Sequence, residues 1–171
     1  MKKLFKFLAI AVAAIGISVS ASSAEAATSS SNFVRKATIG NGFEIMASRL
    51  ALQRSRNPEI RDFAQRMIDD HSQADEDLRD TVMTSRYRMR NMPTNLDSKH
   101  RQMLNRLEHA QGYNFDRLYV QYQTSAHNEA VSLFRSYARS GTNRDLREFA
   151  ARTLPTLQEH KDHLRHVRLY R

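Results

Sequence analysis

No cysteine occurs among the 171 residues. That excludes disulfides, thiolate metal sites and a lipid-anchored lipoprotein. Glycine and proline are scarce, at five and three, and no stretch alternates in the manner of a half-buried strand. Sheet architectures are therefore excluded, and helix is expected over nearly the whole length. No apolar run approaches the roughly 20 residues that span a bilayer. A Gly-rich phosphate loop, a nucleophile elbow and a Cys–His pair are all missing, which removes the common signatures of phosphoryl and acyl transfer.

What is present begins with a leader. Lys2, Lys3 and Lys6 precede an apolar stretch from Leu8 to Val19, followed by Ser20–Ser23 and the small-residue exit Ala24-Glu25-Ala26. This order predicts a secretory signal peptide over 1–26, cleaved after Ala26, and one domain over 27–171. Lys and Arg number 27 against 18 Asp and Glu, a formal net charge of +9. For an exported chain this charge suits anionic envelope components such as lipid headgroups or lipopolysaccharide, and no nucleic acid partner is expected. A solvated, Arg-rich surface is the plainer reading of the same charge.

Helix signals divide the domain. The first helix is expected over Ser31–Arg54. The second starts at the capping residue Asn57, with Pro58 and Glu59 in its first turn, and is expected to reach about Arg90. A connector from Asn91 to Gly112 carries Pro93 and a short helix near Asp97–His109. A long helix spans Tyr113–Ser140 and ends at Gly141. Asn143 caps the last, which runs to about Val167 with a kink expected at Pro155. The loops at 54–58 and 140–143 are tight, so each joins an antiparallel pair, whereas the middle connector is long enough to cross the bundle. The expected fold is all-α: a ferritin-like four-helix bundle of two antiparallel hairpins with a long, partly helical crossover. The segment from Asn57 to Arg66 echoes that from Asn143 to Arg152, through duplication or through the shared demands of a capped helix start.

On a 3.6-residue wheel each long helix places one metal-competent side chain on its apolar face. Glu44 lies among Phe33, Ala37, Gly40, Ala47 and Ala51. His71 lies among Ile60, Phe63, Met67, Ala74, Leu78 and Val82. His127 falls toward the edge of the stripe of Phe115, Tyr119, Tyr122, Ala126 and Tyr137. His160 joins Leu146, Ala150, Thr153, Leu157 and Leu164. At about 1.5 Å per residue, the four lie roughly 18–28 Å from their hairpin turns, near mid-height. Two readings stand side by side. One is a structural Glu–His network, since a buried carboxylate needs a partner. The other is a metal site of Glu44, His71, His127 and His160, whose donors suit Fe, Zn, Cu or Ni. Asp70 is a candidate to hold the second nitrogen of His71. His163 and His166 are expected on the solvated side, and the tyrosines at 119, 122 and 137 in the core. Di-iron bundles use paired Glu-x-x-His motifs. None occurs here, so a ferroxidase centre is not expected.

Phe33 with Gly40-x-x-x-Glu44, then Asn57-Pro58-Glu59 and Phe63-Ala64-Gln65-Arg66-Met67-x-x-Asp70-His71, resembles the bacterial exported domain of unknown function 4142. Phe115-Asp116-Arg117-x-Tyr119, His127-x-Glu129-Ala130-Val131-x-Leu133-Phe134 and Thr153-Leu154-Pro155-Thr156-Leu157-x-Glu159-His160 continue the likeness. The resemblance implies a ferritin-like bundle beyond the inner membrane, with no established activity. It also implies that Glu44, His71, His127 and His160 occupy recurrent polar positions. The expected protein is a periplasmic binding or envelope-stress module, with a peripheral place at the outer membrane as the alternative location, and the reading leans away from an enzyme. Metal binding at the four residues, or envelope interaction through the basic surface, are the alternatives.

Overall fold

The computed structural model describes residues 29–85, 87 and 91–170; the leader lies outside them. Among the described residues five helices follow one another: α1 (Ser30–Arg54), α2 (Pro58–Thr84), α3 (Ser98–His109), α4 (Gly112–Ser140) and α5 (Arg144–Leu164). Short polar side chains start four of them. Ser29, Asn57, Asp97 and Asn143 each accept a hydrogen bond from a first-turn N–H, satisfying donors that the helix cannot. α4 has no side-chain cap. It starts instead at Gly112, whose φ of +53° suits glycine.

α1 packs on α2 and α4 on α5, while α1–α4 and α2–α5 contacts close the square. The C-terminal half of α1, the start of α2, the start of α4 and the end of α5 share one apolar cluster. The opposite helix ends share a second. Neighbouring helices are thus antiparallel, and α2 and α4, on a diagonal, run the same way. The crossover with α3 makes that possible, which is the ferritin-like arrangement.

α2 stops at Thr84 and not near Arg90. Ser85 turns the chain into extended geometry, and its hydroxyl exchanges hydrogen bonds with the backbone of Tyr87. α5 ends at Leu164, short of Val167. The tail is pinned to the start of α2: Arg168 donates to Glu59 through its backbone and side chain, and Tyr170 adds its hydroxyl. Pro155 sits inside α5, which continues through it. α1 buries more than one stripe, adding Val34, Ile39 and Phe43, and α3 covers part of it, with His100 against Phe43.

Gly141 is needed for close approach. A Cβ there would lie 2.5 Å from the ring of Tyr137, a residue fully buried and stacked on Phe33 at 4.0 Å.

Candidate metal centre

Between the two apolar clusters lies a polar layer. Glu44, His71, His127 and His160 occupy it, all at most 3% exposed. Glu44 Oε2 stands 3.2 Å from His71 Nδ1, and its Oε1 stands 3.2 Å from His127 Nδ1. The rings of His71 and His160 stack at 5.4 Å, and His127 is edge-on to both. His127, placed by the wheel at the edge of its stripe, is fully buried at the centre. Gln123, one turn earlier on α4, is fully buried as well.

Hydrogen bonds fix where each ring carries its proton. Asn41 Nδ2 donates to the His71 carbonyl at 2.7 Å, and a carbonyl can only accept. Asn41 Oδ1 therefore faces His71 Nδ1, 2.6 Å away, and that nitrogen must be the donor. His127 Nδ1 lies 2.9 Å from the Gln123 carbonyl, again an acceptor only. His160 Nε2 lies 2.8 Å from the carboxylate of Asp70. One proton on each ring is thus spent on an outer acceptor. His71 Nε2, His127 Nε2 and His160 Nδ1 remain as bare lone pairs.

Two of these bare atoms meet, and the third ring stands beside them. His127 Nε2 and His160 Nδ1 face each other at 3.4 Å, a contact that no proton of the neutral rings can bridge. His71 Nε2 is buried with no hydrogen-bond partner. One nitrogen from each of His71, His127 and His160 lies within 4.8 Å of the others. A metal bound at about 2.0 Å has donor–donor edges a little over 3 Å, so the His127–His160 pair already has the spacing, and His71 must close in.

The electrostatics leave the layer neutral. Burial, and then the nearness of His127 and His160, holds His71 well below its ordinary value of 6.5. Burial takes His127 down to about 4. It also lowers His160, against the opposing pull of Asp70. Glu44 is pushed up to about 8 by burial and by the charge of Glu129. Its carboxyl lies behind His71 and His127, on their Nδ1 sides, and does not join the three converging nitrogens.

Asp70 holds His160 and not His71. Asp70 directly precedes His71 in sequence, but in space its carboxylate turns to His160 on α5, while Asn41 of α1 accepts the hydrogen bond from His71 Nδ1. Among the outlying histidines, His163 stacks on Phe63 at 5.0 Å and is half-buried, whereas His166 is exposed. Asn41 and Gln123 were not legible as site residues, although their spacing could have found them: Asn41 precedes Glu44 by three residues and Gln123 precedes His127 by four, so each shares a helix face with a known member. Ser48, bonded to Tyr119 Oη at 2.8 Å, lines the same layer.

A ferritin-like helical bundle with an imidazole-rich middle layer is the class that fold and site define. Within it, the chain belongs to the family described as domain of unknown function DUF4142, whose profile matches residues 17–167. Among solved structures it is similar to "CopM in the Cu(II)-bound form", with a TM-score of 0.68 and 18% identity over 81% of this chain and 95% of that one. At that identity the likeness is one of fold. No curated protein matches the chain.

Proposed function

We propose that this protein is a metal-binding module of the bacterial envelope, in which His71, His127 and His160 hold one transition-metal ion. The observation that carries this reading is the set of three bare imidazole nitrogens, each with its other nitrogen tied to an outer acceptor. Such acceptors orient metal-binding imidazoles and raise their basicity. Neutral nitrogen donors suit Cu, Zn, Ni or Fe, and Cu(II) leads the ordinary affinity order. The Cu(II) named for the similar CopM structure agrees with that preference. Glu44, neutral while the rings are empty, would release its proton when a cation arrives on their far side, and its carboxylate would balance the added charge.

The Lys-rich leader and the resemblance support a periplasmic setting, and among the described residues no helix is long and apolar enough to cross a membrane. In that setting the basic surface would favour anionic envelope polymers, with binding that weakens as salt rises.

Equilibrium dialysis of untagged protein against Cu(II) or Zn(II) tests the reading. One ion per chain is expected, and its loss in a folded His71→Ala variant. Substoichiometric metal, equal in both proteins, would overturn it.

A further inference from the structure

Beside the centre, a cleft of about 640 Å³ opens to solvent and reaches down to Asn41, Glu44 and His71. This volume falls within the roughly 300–1,000 Å³ of small-molecule sites. The cleft lies on the Nδ1 side of His71, where Asn41 and Glu44 stand, and is therefore not the face where the three bare nitrogens meet. It needs an explanation of its own.

Three features of its lining describe an occupant. The walls are largely apolar, with Ala37, Ile39, Leu133, Phe134 and Leu157 along them. Gly40 leaves room on one side: a Cβ there would have no atom within 4 Å, so this turn of α1 faces open space. At the buried end stand Asn41, Glu44 and His71, so the floor of the cleft is polar.

The charges around the cleft do not cancel. Asp97 is spent on His100 at 2.7 Å. Lys99 and Glu129 pair with each other across α3 and α4. Arg35 donates to Asn32, and neither Arg35 nor Lys36 has a carboxylate partner among the described residues. Two exposed cations thus stand uncompensated in the lining, one turn from Gly40.

We infer that this cleft binds a small amphipathic carboxylate. Its acid group lies at Arg35 and Lys36, its apolar body lies against Ile39, Leu133 and Phe134, and a polar far end meets the floor at Asn41. The inference is independent of the metal reading, because the cleft is complete without an ion and the test uses metal-free protein.

The probe is 4-hydroxyphenylacetate, titrated into the full metal-free protein while the His71 ring signals are followed by NMR. A saturable shift at millimolar probe or below is expected. Reversing both cations, in Arg35→Glu/Lys36→Glu, should weaken binding on the order of tenfold, and 4-methylphenol, which lacks the acid, should bind correspondingly less. Gly40→Leu should abolish the shift by filling the cleft. If that variant does not fold, Ala130→Phe fills it from the α4 wall. No saturable shift in the wild type, equal binding of the uncharged analogue, or a shift that persists in a folded cleft-filling variant would each overturn the assignment.

Discussion

In the lobe at the start of α1, Phe33 stacks on Tyr137 and meets Phe134 and Phe149 edge-on. About three helical turns along, the same four helices set Glu44, His71, His127 and His160 face to face, with buried atoms unpartnered. The apolar lobe stabilises the fold through area removed from water and close packing. The polar layer works against it, because three imidazoles and a carboxyl are desolvated with incomplete hydrogen bonding. A bundle of this length could have filled that layer with leucine. The contrast teaches that the lobes hold the helices in register so that the layer can keep an arrangement it would not adopt alone.

The largest effect should come from breaking a lobe. Phe149→Ala, at a site 2% exposed, should cost about 3–5 kcal/mol in urea unfolding. A cost below about 1 kcal/mol would mean that the lobe does not carry the fold. Next comes the layer with its ion. Metal at a hundredfold excess over its Kd should add about 2.7 kcal/mol to wild-type stability and nothing to His160→Leu; equal stabilisation of both would place the ion elsewhere.

The smallest effect is on pH dependence, where the two kinds of buried group act in opposite directions. The histidines titrate below their ordinary 6.5 in the folded protein, so the unfolded chain binds more protons and stability is lost as pH falls below 6.5. Glu44 titrates near 8 instead of 4.5, so the folded protein holds the extra proton and stability is lost as pH rises toward 8. Three histidines outweigh one carboxyl on the acid side. Metal-free protein should therefore be most stable near pH 6.5, and Glu44→Leu should remove the alkaline decline. An unchanged decline in that variant would assign it to other groups.

Much of this was legible in the sequence. Helical periodicity, the caps at Asn57 and Asn143 and the unequal loop lengths led to the ferritin-like bundle, because each is a local signal. The wheel placed Glu44, His71 and His160 inward for the same reason. Partner choice was not legible. Asp70 turned to α5 and Asn41 took its expected place beside His71, since such contacts depend on how helices rotate against one another. His127 shares its buried face with Gln123, a polar residue that a hydrophobic wheel counts as outward. α3 escaped in part too: its cover over α1, which sets His100 against Phe43, is a tertiary fact with no local mark.

The central claim is that outer acceptors hold three neutral imidazoles with their bare nitrogens turned inward. Long-range ¹⁵N–¹H NMR of the metal-free protein, labelled at histidine and kept at neutral pH, reads this directly. His71 and His127 should carry their proton on Nδ1, and His160 on Nε2, with none of the three doubly protonated. A proton on any of the inward nitrogens, or a charged ring among the three, would contradict the account.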